Sequence, residues 1–197
     1  MNYRITGTGS CTPDITKKNS DFLKNKFLDR DGSDIQSSNP EIIEKFMSIT
    51  GITERRYASD EINCSDLATD AARNAIFDSK IDQETLDYII VAHNAGDISC
   101  NSGQVDTLPS IASKVKAKLK IKNPDCVAYD IICGCPGWVE GMIQAKSFIN
   151  SGMATKCLII GCDTLSRILD ENDRDSMIYA DGSGATILEK DTSYDGG

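Results

Sequence analysis

Three short apolar runs punctuate the chain: Tyr88 to Ala92 (YIIVA), Cys126 to Cys133 (CVAYDIIC) and Cys157 to Gly161 (CLIIG). Each is nearly continuous in hydrophobicity instead of alternating, the pattern of strands buried on both faces, so they predict central parallel strands. Helical periodicities fill the intervals. SDLATDAARNAI opens on Ser65, a good N-cap residue, and sets Leu67, Ala68, Ala71, Ala72 and Ala75 on one stripe whose small side chains permit close approach to a sheet. Ile111, Val115 and Leu119 make a second stripe at i, i+4, i+8. A third helix is expected from Gly137 to Asn150, apolar at Val139, Met142, Ile143 and Ile149, with Gly152 as its C-cap. Met1 to Gly9 is a further strand candidate, as is Ala185 to Glu189 after the Gly-rich turn DGSGA. Strands alternating with helices imply an α/β fold with a helix-covered, parallel-dominated sheet.

Residues 24 to 41 are polar and rich in Gly, Ser and Asn, which predicts an exposed excursion, and the chain ends in SYDGG, which looks like a connection cut open. The 197 residues suit one domain or one half of something larger. Charge adds exclusions: 21 Lys+Arg against 30 Asp+Glu give a net of -9, which argues against a nucleic-acid groove or an anionic membrane as partner. One basic cluster exists, Lys114, Lys116, Lys118, Lys120 and Lys122. On a helix this i, i+2 spacing spreads the lysines around the polar sides, so a solvated face is favoured over a docking patch for an acidic partner. No apolar run approaches the ~18 residues of a bilayer span and MNYRITGTGS has no signal-like region, so a cytoplasmic location is expected. In that compartment the 8 cysteines are reduced and mostly packing groups.

The chemistry concentrates in YDIICGCPGWVEGM. A buried strand ends near Cys133, Gly134 permits a sharp turn, Cys135 sits at the turn, and a helix starts around Pro136 and Gly137. A thiol there faces the free N–H groups and positive dipole end of the helix, which stabilise a thiolate and can donate to an oxyanion. This is the strand-turn-helix logic of a nucleophile elbow with Cys in place of Ser. Spacing alone leaves Cys135 equally readable as one more packing thiol.

In motif order the chain resembles the ketoacyl-ACP synthase III group of the thiolase superfamily, through ITGTGSCTP, KNSDF, TGITERRYA, SDLATDAARNAI, LDYIIVA, LPSIAS, the CPG elbow, SGMATKCLIIGCDTLSR and DRDSMIYADGSGATIL. The resemblance implies a thiolase-like fold, with residues 1–197 as the N-terminal domain carrying the nucleophilic cysteine and the C-terminal half absent from this chain. It implies that Cys135 accepts an acyl group from a thioester, acyl-CoA or acyl-ACP, before condensation with malonyl-ACP in fatty acid or related biosynthesis. The Cys135 N–H would form half of the oxyanion hole. Arg174 matches the position that contacts the adenine end of CoA, Leu108 the loop residue that closes the partner subunit's acyl tunnel, and Asp181 to Ala185 the turn flanking the site; Trp138 and Tyr179 are further substrate-binding candidates. Acyl carrier protein and acyl-CoA are the implied partners, a homodimer the implied full-length form, and no metal or other cofactor is implied.

Departures from the family pattern bear on this. Lys45 stands where an aromatic partner for the adenine is expected, Ile49 where an Arg is expected, and Cys133 where a small residue without a thiol is usual. The stretches 24 to 41 and 93 to 107 are longer than in the simplest members. The family's His, Asn and second His lie in the C-terminal half, and His93, the single histidine, matches none of them; a strand-end hydrogen bond is its expected duty. Two other readings stand beside this one: a non-catalytic half-domain that pairs with another chain, and a thiol redox or metal-binding protein using Cys133 and Cys135 with Cys126, Cys157 or Cys162. The last lacks a second C-x2-4-C pair, and DGSGA lacks the Lys-Ser/Thr of a phosphate loop.

Overall fold

The computed structural model describes residues 2–100 and 102–192, so SYDGG lies outside the described residues. In chain order the elements are β1 (Asn2–Cys11), β2 (Ile15–Lys18), α1 (Asn39–Thr50), β3 (Glu54–Tyr57), α2 (Cys64–Ser79), β4 (Tyr88–His93), β5 (Asp97–Ile98), β6 (Val105–Asp106), α3 (Ile111–Lys118), β7 (Val127–Ile132), α4 (Gly137–Ser151), β8 (Lys156–Thr164) and β9 (Asp181–Asp191), with short 3-10 turns between some of them. Five strands form one sheet in the order β1-β9-β8-β4-β7. β4 pairs parallel with β7 and β8, while β9 runs antiparallel between β8 and β1, giving a mixed, parallel-dominated sheet. β7 occupies the edge, with Val127 and Ile132 exposed, so its apolar run does not mark a central strand. Nor is the Gly-rich DGSGA a turn: Asp181 to Ala185 opens β9, paired with β8 throughout and with β1 from Ser183 on, Gly184 facing Gly161 in β8 and Ser10 in β1.

The connection from β4 to β7 moves one way along the sheet and that from β7 to β8 moves back. Right-handed crossovers in opposite directions use opposite faces. Accordingly α3 packs beside α2 over Ile89, Val91, Leu158, Ile160 and Ile187, whereas α4 covers Ile90, Cys157, Ile159 and Leu188 on the other side. The alanine stripe of α2 is fully buried, and its purpose is visible at β1: a Cβ on Gly7 would stand 2.4 Å from the Ala75 carbonyl oxygen, and one on Gly9 2.3 Å from that of Ala71. The α2 N-cap is Asn63, not Ser65, because Asp66 reaches back to the Asn63 N–H at 2.9 Å, while the Ser65 N–H goes to Asp97 at 3.0 Å. In α4 the sheet-facing line is Gly137, Gly141, Ala145 and Ile149; the expected Val139 and Ile143 are half exposed instead. Gly141 explains the shift, since a Cβ there would come within 2.9 Å of Ile159. Gly152, at φ +77°, caps the helix as its sequence predicts.

The excursion is mostly exposed but anchored: Phe27 is buried, the Leu28 N–H donates to the Asn172 carbonyl at 2.8 Å, and residues 39–41 already belong to α1. Stretch 93–107 holds the small β5-β6 hairpin. The basic cluster is a solvated face only in part: Lys120 and Lys122 are exposed, whereas the other three lysines are engaged. Lys114 binds Asp97 at 3.0 Å and Asp106, Lys116 donates to the Cys126 carbonyl at 2.6 Å, and Lys118 reaches Ser65 and Asp66, each at 2.7 Å.

Candidate active site

Because β4, β7 and β8 are parallel, their carboxyl ends meet at one edge of the sheet, where open α/β folds bind ligands. β9 enters the sheet at the same edge. An open depression of about 360 Å³ lies there, lined from β4 and its following turn by Ala92 and Asn94, from the β7-α4 turn by Gly134, Cys135 and Trp138, and from β8 and β9 by Gly161 to Asp163 and Asp181 to Gly184.

The turn that places Cys135 follows from its sequence. Gly134 sits at φ +65°, a left-handed conformation that a side chain resists, and reverses the chain after β7. Pro136 has no N–H to satisfy and precedes the first turn of α4, whose Gly137 N–H donates to the Gly134 carbonyl at 2.9 Å. No side chain caps α4, unlike α3, where the Ser110 hydroxyl accepts from Ser113. Cys135 is exposed at the depression, and its backbone N–H has no hydrogen-bond partner among the described residues. A thiol and a free amide donor on one residue at a helix N-terminus form the constellation that acyl transfer requires.

The floor is built for close approach. Gly161 and Gly184 face each other across β8 and β9, and a Cβ on Gly161 would touch Trp138 at 3.5 Å, so the indole leans over a strip without side chains. Asp181 is buried and fixes the rim: its carboxylate accepts from the Ala58 N–H at 2.8 Å, the Ser166 N–H at 2.9 Å and the Ser166 hydroxyl at 2.6 Å. Burial pushes the Asp163 carboxyl above the ordinary value, against two hydrogen bonds from Asn94.

The other thiols differ in surroundings. Burial drives Cys157 up to about 12 and raises Cys126, while the hydrogen bond with Cys64 and burial hold Cys162 protonated. Such thiols are inert packing groups. Cys133 is exposed like Cys135 but does not line the depression, and among the described residues no group of three or more His, Cys, Asp or Glu is placed to hold a metal.

Of the expected catalytic and substrate-binding residues, the structure brings together Cys135 and Trp138, with Asp181 to Gly184 of the expected flanking segment beside them. Arg174 lines a separate depression of about 380 Å³ with Arg30, Asp29, Asp170, Asp173 and Asp175, formed where the excursion docks onto residues 170–175. Leu108 projects to solvent, 83% exposed, and Tyr179 is exposed while its neighbour Ala180 lines the Cys135 depression. Lys45 and Ile49 are exposed on α1. Asn94 and Asp163, absent from the sequence-derived set, are in the site; the polar residues just after or at the ends of parallel strands were the available signal.

The architecture is thiolase-like, and in sequence the chain is similar to ketoacyl-ACP synthase III proteins. The family profile described as 3-Oxoacyl-[acyl-carrier-protein (ACP)] synthase III matches residues 129–197. Over 95% of its length the chain is 36% identical to beta-ketoacyl-[acyl-carrier-protein] synthase III 1 of Vibrio vulnificus and 37% identical to beta-ketoacyl-[acyl-carrier-protein] synthase III of Neisseria gonorrhoeae, covering 52% of each. The crystal structure of 3-oxoacyl-[acyl-carrier-protein] synthase III from Aquifex aeolicus matches at TM-score 0.78 and 30% identity, over 97% of this chain and 55% of that one. The chain thus spans about half the length of the curated relatives it matches.

Proposed function

We propose that this chain supplies the acyl-accepting part of a synthase III-type condensing enzyme. The Cys135 thiol attacks the carbonyl carbon of an acyl thioester, with the Cys135 N–H receiving the developing oxyanion. Collapse forms the Cys135 thioester and releases the thiol of CoA or of an acyl carrier protein, which takes up the proton. Decarboxylative condensation with malonyl-ACP follows in this reading. It draws on a His and an Asn that the resemblance assigns to the other half of the family's fold. His93 does not serve, being buried and engaged on both ring nitrogens.

The observation that carries the reading is the exposed Cys135 thiol beside its own N–H, unpartnered among the described residues, at the carboxyl edge of the sheet. A cytoplasmic, homodimeric full-length protein acting on acyl-CoA or acyl-ACP completes it. Arg174 would then meet the distal part of the donor and Leu108 a neighbouring subunit. Release of about one equivalent of free CoA per chain on mixing with acyl-CoA, followed by chromatography, tests the first half-reaction. No release above that of Cys135→Ala sinks it.

The half-domain reading keeps one specific support: Tyr3 and Ile5 on β1 and Val139 and Ile143 on α4 are exposed apolar residues. An apolar surface of this kind fits a second α/β half packed against it.

A further inference from the structure

Asn94 stands at the rim of the Cys135 depression, on the turn that leaves β4. Asp163, near the end of β8, holds it twice: one carboxylate oxygen accepts the Asn94 backbone N–H at 2.9 Å and the other accepts Asn94 Nδ2 at 2.6 Å. A carboxylate only accepts here, so the network assigns Nδ2 to the Asp163 side and turns the amide oxygen the other way. That oxygen faces the open side of the Gly134 Cα: a Cβ built there would come within 3.1 Å of it. Gly134 is the one left-handed residue of the turn that aims Cys135.

The turn has little internal support. Its Gly134 carbonyl accepts from Gly137, Pro136 donates nothing, and the Cys135 N–H is unpartnered among the described residues. Packing from outside must therefore fix where Cys135 points. Asn94 is placed to do this, and Asp163 removes the freedom of its amide to rotate away.

We propose that Asn94, locked by Asp163, is a positioning residue that holds the Gly134 and Cys135 turn so that the thiol and the N–H of Cys135 address the same thioester carbonyl. This rests on Cys135 being the acyl acceptor. Acyl transfer needs both groups aligned, because the carbonyl carbon meets the sulfur while its oxygen meets the N–H. Alkylation of the same thiol by iodoacetamide displaces iodide at a saturated carbon and uses no oxyanion donor. Misalignment therefore penalises the first reaction and spares the second.

The test compares the two rates at Cys135 in the full chain, using acyl-CoA and iodoacetamide as probes. Asn94→Ala should slow acylation about tenfold to a hundredfold while alkylation stays within about twofold, the range expected for a misplaced donor. Asp163→Asn keeps a carbonyl acceptor for one of the two N–H groups and should retain more acylation than Asp163→Ala. Acylation of Asn94→Ala at the parent rate overturns the proposal. Equal slowing of both reactions also overturns it, since that marks general distortion of the turn. A parent chain that is alkylated at Cys135 but never acylated overturns the acyl-acceptor reading itself, and the proposal with it.

Discussion

His93 donates its Nε2 proton to Asp130 across 3.1 Å, with the tautomer set by the Gly96 N–H, which donates to Nδ1 at 2.9 Å. The same Asp130 carboxylate accepts from the Ile111 and Ala112 N–H groups at 2.7 and 2.8 Å, so one buried imidazole ties the end of β4 to β7 and the start of α3. This commits the chain's single histidine to the scaffold. His93→Ala should lower stability by about 1–3 kcal/mol, the cost of leaving buried hydrogen-bonding groups unpaired. Under conditions where the variant is folded, Cys135 acylation should continue within a few-fold of the parent. Thermal unfolding and acylation rates measured on the same sample check both halves; loss of acylation in a folded His93→Ala would assign the imidazole to the chemistry.

Lys114 bridges Asp97 and Asp106 beneath the first turn of α2. Burial alone would raise Asp97, but the Ser65 N–H and Lys114 outweigh it and leave its carboxyl below the ordinary 3.8. A folded-state value below the unfolded one means that this stabilisation is present above about pH 4 and fades as pH falls through the lowered value. Lys114→Met should cost about 3 kcal/mol at neutral pH by stranding Asp97, and the loss should shrink as acid protonates the carboxylates. Denaturant unfolding between pH 7 and pH 3 measures it.

At Gly9 and Gly32 the same substitution should behave differently. Gly9→Ala drives a Cβ to 2.3 Å from the Ala71 carbonyl oxygen, where neither strand nor helix backbone can yield cheaply, while a Cβ on Gly32 would meet nothing within 4 Å among the described residues and only the φ of +81° objects. Expected costs are about 3 kcal/mol or more at Gly9 and about 1–2 kcal/mol at Gly32. Similar values at both positions would refute the close α2-β1 contact.

The exposed apolar row on α4 and β1 predicts self-association of the chain when it is expressed by itself. The double change Val139→Glu with Ile143→Lys should raise the monomer fraction in sedimentation without changing helical content, because neither side chain faces the sheet. Unchanged association would place the sticky surface elsewhere.

Much of this was legible in the sequence. Periodicity located the three parallel strands, the alanine face of α2 and the Gly152 cap because local spacing alone determines them. It failed where a partner across the fold decided: Gly141 turns α4 by its contact with Ile159, Asp97 takes the Ser65 N–H and leaves the α2 cap to Asn63, and pairing on both sides draws DGSGA into β9. The site divided likewise. Cys135 announced itself by a strand-turn-helix pattern, whereas Asn94 and Asp163 lie 69 positions apart and become a pair only when β4 and β8 align.

The central claim is that Cys135, and not the likewise exposed Cys133 two residues earlier, accepts the acyl group. Fragment-resolved mass spectrometry after incubation with acyl-CoA discriminates between them. The acyl mass should fall on Cys135, persist in Cys133→Ser and vanish in Cys135→Ser. Label on Cys133, or undiminished labelling of Cys135→Ser, would contradict the account.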